Sequence, residues 1–331
     1  MDKVLITGGA GFIGFHVASA LLRSGVHVAV LDNYNDYYAV SLKQDRAKRL
    51  EEIASEPGSG RLMLVTGDLT DEQIVEEVFV SFAPDTVIHL AAQAGVRYSI
   101  DHPETYIQSN IIGHFRILEA CRHHPVKHLV YASSSSVYGG NTKVPFAETD
   151  PVDKPMSLYA ATKKADELMS YTYSSLYGIP ATGLRFFTVY GPWGRPDMAA
   201  FLFTDAILAG KPIKVFNNGD MLRDFTYVDD IVRGVIRVAG KAPEADERNV
   251  RHTVYNIGNN SPVKLLDFIS ILEEALGKEA QKEFLPMQPG DVYQTYADVD
   301  ALVRDFDFKP ATSLRDGIRS FVKWYKSYYR I

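Results

Sequence analysis

Val4-Leu5-Ile6-Thr7-Gly8-Gly9-Ala10-Gly11-Phe12-Ile13-Gly14 decides how this chain folds. Its three apolar residues read as a short buried strand. The glycines read as a tight turn, and the run from Phe12 through Leu22 as a helix. Glycine lets the backbone turn sharply and come close to a ligand, and a helix N-terminus points N–H groups at an anion. The spacing is Gly-x-x-Gly-x-x-Gly. Set between a strand and a helix, it predicts a dinucleotide pyrophosphate at Gly8, Gly11, Phe12, Ile13 and Gly14.

Working outward, residues 26–31 form a second apolar strand that ends in Asp32. A carboxylate there accepts hydrogen bonds from both ribose hydroxyls and repels a 2′-phosphate, which favours NAD over NADP. Asn33 adjoins it. Asp68, after a strand at 62–65, either reaches the adenine edge or caps the next helix. Leu69, and Leu90-Ala91-Ala92 after a strand at 86–90, complete the expected cofactor wall. A further strand lies at 128–131, a helical pattern at 104–121, and a turn at Pro57-Gly58-Ser59-Gly60. Alternating buried strands and helices predict an α/β fold, a Rossmann-type doubly wound parallel sheet covered on both faces. Residues 1–180 form the expected NAD-binding domain. Residues 181–331, with a smaller mixed α/β pattern, form the expected substrate domain, and segments near 225–258 cross back.

The second informative stretch is Tyr159-Ala160-Ala161-Thr162-Lys163, on a helix spanning 157–177, with Ser133-Ser134-Ser135-Ser136 upstream. Four residues is about one helical turn, so the phenol and the ammonium share a face. A nearby cation favours a phenolate, so such a tyrosine can act as a base well below its usual pKa of about 10.

Composition narrows the classes. The chain has 331 residues, 35 basic and 41 acidic, with a net charge of −6 and no basic block, which argues against nucleic acid as a partner. The single cysteine, Cys121, sits in an apolar helical pattern and reads as a small buried hydrophobe. One cysteine allows no internal disulfide, which fits a reducing cytoplasm. The start Met1-Asp2-Lys3 runs straight into a strand, so no signal peptide is expected, and no apolar run reaches the roughly 20 residues of a membrane span. No metal is expected. His123 and His124 are adjacent, and neighbouring helical side chains diverge too far to ligate together. Tyr325, Tyr328 and Tyr329 read as packing residues.

Together, Gly8-x-x-Gly11-x-x-Gly14, the serine run before Val137-Tyr138-Gly139 and Tyr159-x-x-x-Lys163 resemble the extended short-chain dehydrogenase/reductases that modify nucleotide sugars. The likeness covers nearly the whole chain. Within that family the chain looks most like the UDP-glucuronate 4-epimerases. Asp32-Asn33-Tyr34-Asn35-Asp36-Tyr37-Tyr38, Ala94-Gly95-Val96-Arg97-Tyr98-Ser99 and Gly191-Pro192-Trp193-Gly194-Arg195-Pro196-Asp197-Met198 carry that likeness. It implies tightly bound NAD and inversion at sugar carbon 4 by oxidation, rotation of a 4-keto intermediate and re-reduction. It also implies that Tyr159 is the base, that Lys163 supports it and holds the nicotinamide ribose, and that Ser134 bridges tyrosine and sugar. Asn110 is expected to shape the nicotinamide pocket.

Dehydratases and decarboxylases of this family carry carboxylates just after the catalytic hydroxyl. Here those positions are Ser135 and Ser136. With Thr188 and Arg195 they are the expected contacts of a carbon-5 carboxylate. By the same resemblance Arg223 pairs with the diphosphate, Val215 and Phe216 flank uracil, and Gln288 and Asp291 contact diphosphate or ribose. A homodimer through helices 104–121 and 157–177 is implied. Two other readings stand beside this one: a UDP-glucose/UDP-galactose or dual-specificity 4-epimerase, and a catalytically idle NAD-binding protein.

Overall fold

The computed structural model describes residues 1–288 and 293–331. Its centre is a seven-stranded, all-parallel sheet. The strands are β1 (Lys3–Thr7), β2 (His27–Asp32), β3 (Leu62–Thr66), β4 (Thr86–His89), β5 (His128–Ser134), β6 (Ala181–Phe186) and, far later in the chain, β10 (His252–Ile257). Their order across the sheet is β3-β2-β1-β4-β5-β6-β10. Alternation along each strand feeds both faces. Val4 and Ile6 of β1 enter one core, and Leu5 enters the other. Helices α1 (Phe12–Arg23), α2 (Val40–Ala54) and α9 (Val228–Ala239) cover the first face. Helices α3 (Glu72–Phe82), α6 (Gly113–His123) and α7 (Leu158–Tyr177) cover the second.

Local signals explain the ends of α7. The Ser157 hydroxyl caps its first turn by accepting from the Ala160 N–H at 3.1 Å. Gly178, at φ +70°, stops it in the left-handed conformation. The helical pattern at 104–121 is not one helix. After α4 (Tyr98–Asp101), α5 (Pro103–Tyr106) runs into a π-helical turn at Ile107–Ile112 before α6 begins. Asn110 lies inside this turn, and its amide bonds away from the helix (below).

The smaller lobe is mixed. It holds β7 (Thr188–Tyr190), α8 (Ala199–Leu208), β8 (Ile213–Val215), β9 (Leu222–Tyr227), β11 (Pro262–Lys264), α10 (Leu265–Leu276), β12 (Lys282–Phe284), α11 (Asp300–Phe306) and α12 (Leu314–Tyr329). Strands β11-β9-β7 form one small sheet and β12-β8 another. Phe225 stacks on Phe268 at 4.4 Å between ring centres, and Tyr325 of α12 packs on Phe201 at 5.1 Å. The Asp224 carboxylate is buried and accepts backbone N–H groups from Asn259, Asn260 and Ala297, clasping three segments together. The large sheet takes β6 and β10 from beyond residue 180, so a boundary at 180 cuts through the sheet. The chain leaves it after β6, builds β7 to β9, and returns through α9 and β10.

Candidate active site

The carboxyl ends of β1 and β4 lie side by side where the winding of the sheet reverses, the place where open α/β sheets bind ligands. A cavity of about 750 Å³ opens there and runs on to the smaller lobe. Its floor is the glycine turn. Gly8 has φ +70°, and a Cβ there would stand 2.7 Å from the Ala91 nitrogen. A Cβ on Gly14 would stand 2.2 Å from the Gly8 carbonyl. Only hydrogen fits at either position, so strand, turn and α1 close on one another and bare the backbone at Gly11, Phe12 and Ile13.

Asp32 lines the cavity from the end of β2. Its two oxygens accept from the Ala10 N–H at 3.0 Å and the Tyr34 N–H at 2.9 Å, so the carboxylate is locked to the turn. Asn33 donates to Asp68 at 2.7 Å, and Asp68 also accepts from the Thr70 N–H and hydroxyl. Burial works against its charge, but these donors hold its carboxyl below the usual carboxylate range. Asp68 is not the cap of α3. Asp71 is, accepting from Gln73 and Ile74. Leu69, Leu90, Ala91 and Ala92 complete this wall.

Asn110 lies behind the cavity wall. It is buried, accepts the Gln93 N–H at 2.8 Å, and donates to the Gln93 carbonyl at 3.1 Å and the Thr162 hydroxyl at 3.0 Å. It shapes the cavity through Gln93, which does line it. The unwound π turn is what frees this amide to cross to β4's exit loop and α7.

At the other end, β5 delivers the serine run and α7 delivers Tyr159 and Lys163, all lining the same cavity. The serines divide by direction. Ser133 turns away and donates to Glu167 at 2.7 Å, while Glu167 holds Arg185 of β6 through two further bonds of 2.8 and 2.9 Å. The Ser134 hydroxyl donates to the Ser136 hydroxyl and accepts its N–H, both at 3.2 Å. Lys163 donates to the Ala132 carbonyl and to Asp166, each at 3.0 Å. No carboxylate follows Ser134; Ser135 and Ser136 both face the cavity. Thr188, at the start of β7, and Arg195 face it as well. Arg195 makes a two-pronged pair with Asp197, through Nε at 3.0 Å and Nη2 at 2.5 Å. Burial opposes its charge, yet Asp197 keeps the guanidinium firmly protonated. The Tyr37 hydroxyl donates to the same carboxylate at 3.1 Å.

The remaining expected contacts separate. Phe216 lines the cavity, with the Arg97 guanidinium 5.2 Å above its ring. Val215 does not, which corrects its expected place. In β8 the pleat sends Ile213 and Val215 into the core and Lys214 outward, so Val215 is fully buried in packing. Arg223 lines the cavity and donates to the Leu222 and Tyr293 carbonyls at 2.8 and 3.0 Å. Gln288 lies off the cavity wall, its side-chain oxygen buried with no hydrogen-bond partner among the described residues. Asp291 lies outside the described residues. Among the described residues no group of three or more His, Cys, Asp or Glu side chains could hold a metal ion.

Sequence reasoning missed two cations on α2. Lys43 faces the cavity and donates to the Asn35 carbonyl and side chain, both at 2.6 Å. Arg46 is fully buried and bonds Ala10 of the glycine turn, the Tyr38 hydroxyl, and the carbonyls of Trp193 and Gly194. A signal existed: both fall on the helical face of Leu42, Leu50 and Ile53, where a surface helix has no reason to place charge.

A family model described as the NAD dependent epimerase/dehydratase family matches residues 4–258. Protein CapI of Staphylococcus aureus is 52% identical over 99% of this chain and 99% of its own length. UDP-glucuronate 4-epimerase 2 of Arabidopsis thaliana is 48% identical over 99% of this chain and 76% of its own length. The UDP-glucuronic acid 4-epimerase of Bacillus cereus, solved with UDP-glucuronic acid and NAD, superposes with a TM-score of 0.88 at 34% identity, covering 99% of this chain and all of that one. A strand–glycine-turn–helix floor, a carboxylate at the end of β2 and a Tyr-x-x-x-Lys helix on one cavity agree with those likenesses, and the chain belongs to the NAD dependent epimerase/dehydratase family.

Proposed function

We propose that this chain is an NAD-dependent UDP-glucuronate 4-epimerase, interconverting UDP-glucuronate and UDP-galacturonate. One observation carries the choice within the family. Ser135, Ser136, Thr188 and Arg195 share a cavity with Tyr159, and no carboxylate follows Ser134. The glycine cradle and Asp32 fit a dinucleotide without a 2′-phosphate. When bound, NAD supplies a hydride acceptor that returns what it takes.

The chain's own residues do the rest. Tyr159 takes the proton of the carbon-4 hydroxyl and later returns it. Ser134, already able to donate and accept, bridges tyrosine and sugar oxygen. Oxidised at carbon 4, a uronate is a β-keto acid, and it loses carbon dioxide when its carboxylate bond aligns with the carbonyl π system. Short hydroxyl donors from Ser135, Ser136 and Thr188 and the Arg195 cation hold the carboxylate out of that alignment. With no acid or base at 135 or 136, elimination has no proton route. Arg223 meets the diphosphate and Phe216 the uracil.

The test is incubation of the purified protein with UDP-glucuronate, and separately with UDP-glucose, without added reductant. UDP-galacturonate forms from the first, with no UDP-pentose. Conversion of UDP-glucose alone would overturn the reading.

We also propose a cytoplasmic homodimer. Among the described residues no helix is long and apolar enough to cross a membrane. Cys121 is buried and burial pushes its thiol up, so it is kept from redox chemistry. Leu168, Leu176 and Tyr177 stand exposed along α7, beside α6. Light scattering on the wild type should give twice the chain mass, and Leu168→Glu with Leu176→Glu should give the chain mass itself. An unchanged dimer in the double variant would remove this face.

A further inference from the structure

Lys163 is clamped from below by a carboxylate that the chemistry above does not use. Asp166 lies one helical turn further along α7 and is completely buried. One of its oxygens accepts from the Lys163 ammonium at 3.0 Å. The other is buried with no hydrogen-bond partner among the described residues. A buried ion pair is poor value for stability alone, and an orphaned carboxylate oxygen makes it worse. Strained charge of this kind next to a reacting pair marks tuning.

The ammonium has three N–H donors. Asp166 takes one, and the carbonyl of Ala132 on β5 takes a second at 3.0 Å. The strand that carries Ser134 and the helix that carries Tyr159 therefore fix the ammonium together, with the third donor left for the cavity. We propose that Asp166 is a positioning residue: it orients the Lys163 ammonium and offsets its charge, and so sets how readily Tyr159 gives up its proton.

The surroundings allow this control. Lys163 and Glu167 flank Asp166 on its own helix, but Glu167 is engaged by Arg185 of β6 and Ser133 of β5. His114 of α6 packs against this turn, with its ring bonded to Ser170 at 2.9 Å. His89 of β4 lies 5.2 Å from the His114 ring, and Tyr131 of β5 lies 5.3 Å from it and bonds His252 of β10 at 2.8 Å. The segment before α6 adds Tyr106, edge-on to Tyr159 at 5.9 Å. Burial, with the Lys163 charge acting against it, pushes the Asp166 carboxyl up to about 7. Burial also lowers His89 to about 3 and drives His114 in the same direction, so both rings stay neutral around it.

The proposal rests on Tyr159 being the base of the epimerase reading. Asp166→Asn keeps an acceptor for Lys163 and removes the charge; Asp166→Ala removes both. With the offsetting anion gone, the phenolate ultraviolet transition of Tyr159, identified by its loss in Tyr159→Phe, moves down by about one pH unit in either variant. The acid limb of kcat for UDP-glucuronate moves with it in Asp166→Asn. Asp166→Ala additionally loses roughly tenfold in kcat at its optimum, and Asn restores most of that loss. The phenolate transition is read without sugar, so failure to act on UDP-glucuronate would sink the functional reading and leave this measurement standing. Both variants remove the charge, and Asp166→Asn removes it alone, so failure of one to fold leaves the other. A transition that stays put in a folded variant would show that Asp166 only packs.

Discussion

On the proposed function, Arg195 is the side chain that meets the sugar carboxylate. Its Nε and Nη2 are committed to Asp197, and Asp197 is steadied by Tyr37. With two of its nitrogens tied to Asp197, the guanidinium presents a fixed cation on the cavity wall for a substrate carboxylate. Charge-assisted bonds of this kind contribute about 1.5–3 kcal/mol. Arg195→Ala should therefore lower kcat/KM for UDP-glucuronate roughly ten- to a hundredfold, and should release some UDP-pentose as the 4-keto acid tumbles into alignment. Steady-state assays with product chromatography read both effects. Unchanged kcat and KM would take Arg195 out of this role. Residues of this type were legible in the sequence because their meaning is local: a glycine needs no Cβ, and Tyr159 and Lys163 share a face by helical spacing alone. Asn110 was not, because its partners Gln93 and Thr162 lie 17 and 52 residues away and a π turn must unwind before it reaches them.

Between elements, the buried joint of α7, β5 and β6 keeps the serine run in register with the tyrosine. Glu167 makes two bonds to Arg185 and one to Ser133, so removing its charge strands a buried guanidinium. Glu167→Gln should cost about 3–5 kcal/mol, read by urea unfolding near neutral pH. The pH dependence follows from the sign of the shift. Burial alone would raise the Glu167 carboxyl, but the Arg185 bonds and charge hold it below its ordinary range. A depressed carboxyl stabilises above its unfolded pKa of about 4.3, and that stabilisation drains away as pH falls through the lower folded value. Wild type should thus lose stability on acidification below about pH 4.3 more steeply than the Gln variant. Parallel curves would mean that Glu167 carries no such linkage. At this scale the strands and α7 were readable from periodicity, since their apolar faces repeat. The strand β8 misled because Val215 and Phe216 are equally apolar, and only the structure shows that the strand's last residue faces the core and the residue after it the cavity.

Across the whole molecule, the glycine turn and the Arg195 loop come from segments nearly two hundred residues apart, and Arg46 is the tie between them. One nitrogen bonds the Ala10 carbonyl at 2.9 Å and the Tyr38 hydroxyl at 2.8 Å; the other bonds the carbonyls of Trp193 at 2.7 Å and Gly194 at 3.1 Å, next to Arg195. His16 of α1 supports the same junction from Pro192 at 2.8 Å. A cation that serves the glycine turn and the Arg195 loop together makes their spacing one quantity, not two. The sequence places Arg46 on the apolar face of its helix but does not say what it ties together, because three of its four acceptors are backbone carbonyls and carry no residue signature. Arg46→Met fills the volume and removes the tie, leaving buried acceptors unsatisfied at about 1–3 kcal/mol each. Stability should fall by about 3 kcal/mol. NAD should be lost on gel filtration, and KM for UDP-glucuronate should rise, while the phenolate transition of Tyr159 stays where it was. Rescue of KM by saturating NAD would place the defect at the cofactor turn alone. A raised KM that NAD does not correct would place it in the spacing of the two sites. Lowered stability with both NAD retention and KM intact would reduce Arg46 to a structural prop and separate the two sites again.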